Sequence, residues 1–154
     1  MPESIDFQYD SPDESPGFLL WQITMLWQRK MKHALDTIDL THTQFVLLAV
    51  LGWLSKANEH VTQIDIANNS KTDRMMVSKV LRTLQSKGLV TRREHHIDTR
   101  AKTISLTPKG SKLLQTALDI VHEVDGKFFT VLGSQTKPFT LEMLTLMKEN
   151  EQGR

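Results

Sequence analysis

Apolar residues fall along this chain in blocks of helical period, interrupted once by a short stretch of alternation. The first block, "PGFLLWQITMLWQRKMKHALDTI", is apolar almost all round up to Met31, and Pro16 stands where a helix can begin. Such a helix needs cover on several sides. The second, "LTHTQFVLLAVLGWLSK", carries its own start signal. Thr41 and Gln44 are spaced as a capping box, and Leu40 and Phe45 as a hydrophobic staple. "VTQIDIANNS" repeats the box with Thr62 and Asp65 but meets the Asn68-Asn69-Ser70 cluster, which predicts a helix of only two turns.

A tight break follows. "TDRMMVSKVLRTLQSKGL" then places Val77, Val80, Leu81 and Leu84 on one helical face, with Gly88 as the residue just past the end. Its opposite face carries Arg74, Met75, Ser78 and Arg82. "LVTRREH" and "AKTISLT" read as two strands of a hairpin, the second alternating through Thr-Ile-Ser-Leu. Thr107 and Pro108 open another helix as N-cap and first helical residue. Its Leu114, Ala117, Val121, Val124 and Phe128 recur at threes and fours, the spacing of a seam between helices, to about residue 131. A last helix is expected around "TLEMLTLMKEN", and no internal repeat is evident.

Composition changes this picture little, and charge placement changes it a good deal. The 154 residues, 39% apolar, suit one domain or one domain with helical additions. Formal net charge is only +1, yet nine of the nineteen Lys/Arg and three of the eighteen Asp/Glu lie between Lys71 and Lys102. The rest of the chain is acidic, including Glu3, Asp6, Asp10, Asp13 and Glu14 in the first sixteen residues. A basic block in an acidic protein is the footprint of a polyanion binder. Here that block coincides with two helices joined by a short turn and followed by a hairpin, the pattern of a winged helix-turn-helix, in which the second helix is the one that enters the major groove. With no cysteine there is no disulfide, thiolate nucleophile or Cys-type zinc site. No apolar run reaches the roughly 18 residues of a membrane span, and the acidic N-terminus is unlike a secretory signal, so a cytoplasmic protein is expected.

The stretch "LRTLQSKGLVTRREHHIDTRAKTISLTPKG" resembles, in order, three motifs of the multiple antibiotic resistance regulator (MarR) family: L-x-x-x-G-L-(V/I)-x-R, D-x-R-(A/x)-K and L-T-x-x-G. They fall on Leu84, Gly88, Leu89, Val90 and Arg92, on Asp98, Arg100 and Lys102, and on Leu106, Thr107 and Gly110. "LTHTQFVLLAVL" is similar to the family's second-helix signature, and the likeness extends from about Phe18 to about Met147. The resemblance implies a mainly α fold with a small β-wing, a winged helix-turn-helix carrying N- and C-terminal dimerisation helices. It also implies a homodimer on a pseudo-palindromic double-stranded DNA operator, acting as repressor or activator and often relieved by a small aromatic or lipophilic effector. Met75-Met76 depart from the Ser/Thr-rich start usual in the family's recognition helix, so contact with thymine methyl groups is expected to replace some hydrogen-bond readout.

The expected organisation is an acidic, flexible tail over 1–16, a dimerisation helix over 17–38, the winged helix-turn-helix over 39–107 and dimerisation helices over 108–150. Within it, Lys71, Thr72, Arg74, Met75, Ser78, Lys79 and Arg82 are the candidate DNA contacts of the recognition helix, about 72–87. Arg92, Arg93, Asp98, Arg100 and Lys102 are those of the wing, about 89–106. Arg100 is expected to enter the flanking minor groove, with Asp98 anchoring the turn by pairing with Arg92, Arg93 or Arg100. Trp21, Met25, Trp27, Met31, His33 and Trp53 are candidates to line an effector cavity, against the plainer reading that they are core. No metal or other cofactor is expected. His95 and His96 on a strand would point to opposite sides, and Asp119, His122 and Glu123 suit a solvated, salt-bridged face. No catalytic motif is present; the competing reading is a winged helix that binds protein.

Overall fold

Residues 3–94, 97 and 101–151 are described in this computed structural model. They form α1 (Pro16–Asp36), α2 (His42–Leu54), α3 (Gln63–Ser70), α4 (Arg74–Ser86), an antiparallel hairpin of β1 (Val90–Glu94) and β2 (Lys102–Leu106), then α5 (Pro108–Phe129) and α6 (Thr136–Glu151). Short 3-10 turns, Pro12–Glu14 and Thr130–Gln135, precede α1 and α6.

The local start signals form as spaced. The Gln44 N–H donates to Thr41 Oγ1 and the Thr41 N–H to Gln44 Oε1, each at 3.1 Å. Thr62 and Asp65 repeat the exchange at 3.1 and 2.9 Å. Both boxes satisfy donors that a helix start leaves free. Leu40 and Phe45 are both buried, as a staple requires.

One core holds α2, α3, α4 and the hairpin together. Leu47, Leu48 and Leu51 of α2 are fully buried, packed among Leu35, Ile66, Val77, Leu81, Leu84 and the hairpin base at Leu89, Val90 and Ile104. The helical pattern of α4 explains its share: Val77, Leu81 and Leu84 are one buried stripe, and the other side is left to solvent. Gly88, at φ 74°, ends α4 in a Schellman arrangement, with the Leu89 N–H on the Leu84 carbonyl at 3.0 Å and the Gly88 N–H on Gln85 at 2.9 Å. The same turn launches the wing. β1 pairs with β2 from Val90↔Leu106 to Glu94↔Lys102, and the Ile104 N–H reaches across to the Val61 carbonyl at 2.8 Å, tying the hairpin to the loop before α3.

Several boundaries differ from the expectation. α3 runs through the Asn68-Asn69-Ser70 cluster, because Asn69 Nδ2 and Ser70 Oγ donate back to the carbonyls of Asp65 and Ala67 rather than breaking the helix. α5 ends at Phe129, and α6 begins at Thr136, ahead of the expected stretch, with Pro138 tolerated in its first turn. The seam of α5 is shared out: Leu114 and Ala117 are buried in the core, whereas Val121, Val124 and Phe128 are only half-buried. On α1 only Met31 and Leu35 are buried, and Phe18, Leu20, Trp21, Ile23, Met25 and Leu26 are exposed.

Candidate nucleic-acid interface

The turn between α3 and α4 consists of Lys71, Thr72 and Asp73. Lys71 takes the left-handed conformation, φ 53°, to end α3, a position that glycine usually fills. The Thr72 N–H then closes on the Ala67 carbonyl at 3.1 Å. Asp73 caps α4, its Oδ1 accepting from the N–H groups of Met75 at 2.9 Å and Met76 at 3.1 Å. The cap sets the helix start at Arg74, two residues past the expected start. Sequence reasoning passed over it, although an aspartate before a helical stripe is an N-cap signal.

Beyond the cap, α4 turns Arg74, Met75, Lys79 and Arg82 to solvent, with Ser78 half-buried among them. Met75 is 82% exposed, and Met76 is exposed beside it. Arg82 Nη2 donates to Ser78 Oγ at 3.2 Å, one turn back, which holds the guanidinium along the helix. Thr72 is half-buried and its hydroxyl donates to the Ser70 carbonyl at 3.2 Å; Lys71 pairs with Glu151 at the end of α6.

The two arginines of β1 part company, because successive strand residues face opposite sides. Arg93 is exposed, opposite Thr103. Arg92 turns inward, its Nη2 donating to Gln63 Oε1 at 3.0 Å, and its Nε is buried without a hydrogen-bond partner among the described residues. It is thus a strut between wing and α3, and Gln63 is a site residue the sequence did not signal. Lys102 faces Glu94 at 3.9 Å across the hairpin. Asp98 and Arg100, with His95 and His96, lie outside the described residues.

The six candidates for an effector cavity do not surround a single space. Helical geometry puts Trp21 and Met25 on one face of α1, both exposed, and Trp27 and Met31 on another, with Met31 fully buried. His33 stands on a third side, lining a cleft with Leu26 and Phe128. Trp53, at the far end of α2, is 70% exposed under the Lys56 ammonium, 4.6 Å from its ring centroid. Trp27 makes a joint instead: its Nε1 donates to Asp125 Oδ1 at 2.9 Å, and its ring meets His42 edge-on at 5.0 Å. Burial pushes the His42 imidazole below its usual pKa, partly opposed by the Asp125 carboxylate. This joint links α1, α2 and α5.

Among the described residues no three His, Asp or Glu side chains gather as a metal site. Glu123 is instead bound to Lys127 at 2.9 Å, which lowers its pKa, and Asp119 accepts from Gln115. No helix among the described residues is long and apolar enough to cross a membrane.

Residues 36–125 match the family of ArnR1-like winged-helix domains. The chain is 46% identical over 122 residues to a Bacillus subtilis protein, the uncharacterised HTH-type transcriptional regulator YdcH, covering 79% of this chain and 83% of that one. Staphylococcus aureus MepR, solved as a DNA complex, superposes with a TM-score of 0.78 at 28% identity over 88% of this chain and 98% of its own. A single-site mutant of Escherichia coli MarR, solved with operator DNA, shares the fold with a TM-score of 0.75 at 20% identity, over 85% and 91%. With a buried three-helix unit, a capped α4 turned outward and a hairpin set on its end, the chain belongs to the winged-helix HTH-type transcriptional regulators of the MarR family.

Proposed function

We propose that this regulator acts by binding rather than catalysis, as a homodimer that sets α4 of each copy into successive major grooves of a pseudo-palindromic operator, with half-sites about 10 bp apart. The observation that carries the reading is the outward face of α4, where Arg74, Met75, Ser78, Lys79 and Arg82 stand free of the core on a helix fixed at both ends. MepR, the relative solved with DNA, supports the same use of the fold. Lys71, Thr72, Arg93 and Lys102 flank α4 and are assigned to the backbone on either side, with Arg100 of the wing tip assigned to the minor groove and Asp98 to its anchorage. Arg92 supports this surface from beneath through Gln63.

Dimerisation rests on exposed apolar surface at both ends of the chain. Leu20, Trp21 and Ile23 of α1, Val131, and Leu141, Leu144 and Leu146 of α6 are uncovered in the single chain, more than a soluble monomer ordinarily carries. The reading divides the chain as tail 1–16, dimerisation helix 17–38, DNA-binding unit 39–107 and dimerisation helices 108–150, in a cytoplasmic protein. A small aromatic or lipophilic effector belongs to this reading as the trigger, in a space that two copies complete.

Titration of a duplex carrying the inverted repeat upstream of the protein's own gene tests the proposal. A dimer contacting phosphates loses affinity steeply as salt rises. A winged helix that serves to bind protein shows no measurable duplex binding near physiological salt, and that result would overturn the reading.

A further inference from the structure

The acidic arm ahead of α1 and a cationic cleft between α1 and α5 are complementary in both charge and polarity, and neither has a part in the DNA-binding face. In the arm, Ile5, Phe7 and Tyr9 alternate with acids and polar groups. Ile5 is 77% exposed and Phe7 76%, so these side chains have no adequate cover within the chain. The cleft, about 630 Å³, has Leu26, Val124, Phe128 and Val131 as its apolar surface and Arg29, Lys30, His33 and Lys127 around it. Neither Arg29 nor Lys30 has an acidic partner among the described residues, and Lys127 is shared with Glu123. An apolar space ringed by cations suits a segment that alternates apolar side chains with carboxylates.

The arm's own attachment holds it at the start of α1, away from its own cleft. Ser11 caps the Pro12–Glu14 turn, accepting from the Asp13 N–H at 3.3 Å, and Ser15 caps α1, accepting from the Phe18 N–H at 3.3 Å. The Asp10 N–H also donates to Glu14 Oε2 at 3.2 Å. Held in this way, Phe7 and Tyr9 lie with Pro12 and Phe18 at the start of α1. Leu26, the near edge of the cleft, is ten residues further along, about 15 Å at 1.5 Å per residue. Turning back onto it would take Phe7 and Tyr9 off Pro12 and Phe18 and reverse the chain at Asp10, which is bonded to Glu14, whereas a cleft on a second copy requires no such reversal.

We propose that residues 3–10 of one copy seat in the α1/α5 cleft of a second copy, with Phe7 and Tyr9 on its apolar surface and Asp6 and Asp10 toward Arg29 and Lys30. The proposal rests on the homodimer reading and adds to it a reciprocal exchange of arms. The DNA-binding face is the other basic surface available to the arm. It offers Met75 and Met76 on a convex helix rather than a cleft, so it matches the arm's charge without matching its aromatic residues.

Carbodiimide coupling of carboxylates to lysines, on an equal mixture of unlabelled and 15N-labelled full chain refolded together, tests this by mass spectrometry. The Lys127–Glu123 pair on α5 is an internal control that must appear within single chains. Expected are mixed-isotope peptides joining Glu3, Asp6 or Asp10 to Lys30 or Lys127, and their loss in Arg29→Glu/Lys30→Glu with roughly a tenfold rise in the dimer dissociation constant, the size expected of a few exposed ion pairs reversed together. Adding Asp6→Lys/Asp10→Lys should restore the dimer. Arm links confined to one chain, arm links to Lys71, Lys79 or Lys102, or no arm links in a protein that light scattering shows to be dimeric, each overturn the arm exchange and leave the dimer standing. A monomer by light scattering overturns both.

Discussion

The backbone of α5 passes so close to the end of α4 that a Cβ on Gly110 would lie 1.9 Å from the carbonyl oxygen of Leu89. Thr107 fixes that approach, its hydroxyl donating to the Gly88 carbonyl at 2.6 Å while its oxygen accepts from the Gly110 N–H at 3.0 Å. The obstacle is backbone, which cannot step aside as a side chain can. Gly110→Ala should therefore destabilise the protein by about 3 kcal/mol or more, beyond ordinary overpacking. Gly126→Ala on the same helix, with open space at its Cβ, should leave stability unchanged or raise it by up to about 1 kcal/mol. Denaturant midpoints of the two variants give the comparison.

On the proposed reading, Lys71 sets stability against binding at one residue. Its left-handed φ costs a lysine about 1 kcal/mol that a glycine does not incur. Lys71→Gly should raise the melting temperature by a few degrees and, on the proposed reading, weaken operator binding while lowering the salt slope by about one unit per protomer. A scanning calorimeter and a salt titration read the two effects separately; a gain in both would remove Lys71 from the interface.

Arg92 and Arg93 are adjacent in sequence and should behave differently. Arg92→Ala removes the bond to Gln63 and should lower stability by about 1 kcal/mol in addition to weakening DNA binding. Arg93→Ala should weaken binding alone, since its side chain is exposed. A double-mutant cycle of Arg92→Ala with Gln63→Ala should give a coupling of at least about 0.5 kcal/mol in unfolding.

On the proposed reading, the two outward side-chain types of α4 should divide the labour. Arg82, held along the helix by Ser78, should contact phosphate, so Arg82→Ala lowers affinity for all sequences alike and reduces the salt slope by about one per protomer. Met75→Ala should act at particular positions: replacing a contacted thymine by uracil should cost the wild type about 1 kcal/mol and the variant nothing, with other positions unaffected. Binding to a panel of single-position operator variants distinguishes the patterns.

His42 makes stability depend on pH. Its folded-state pKa lies below the ordinary imidazole value, chiefly through burial, so the unfolded chain binds a proton first as pH falls. The stabilisation is complete above about pH 6.5, declines as pH drops beneath it and is gone below the folded-state value. His42→Gln should flatten this part of the profile. Asp125→Asn, which removes the carboxylate that supports the charged form, should lower the imidazole pKa further, a change that a proton NMR titration of His42 would register.

Local chemistry was legible in the sequence and has local causes. Thr41 with Gln44, and Thr62 with Asp65, needed only their spacing to form two capping boxes, and Gly88 needed only its freedom at positive φ to end α4. The stripe of Val77, Leu81 and Leu84 placed the opposite face outward without reference to any other element. What the sequence could not determine is what each face meets. Nothing in the order of residues says that Arg92 finds Gln63 twenty-nine positions away, that Trp27 bonds Asp125 ninety-eight positions on, or that the α5 seam is spent at Leu114 and Ala117 on the core and left half-covered at Val124 and Phe128. Periodicity marks a side chain as inward or outward on its own helix. Whether that side becomes core, cleft or open surface depends on how helices distant in sequence come together, and only the tertiary structure decides it.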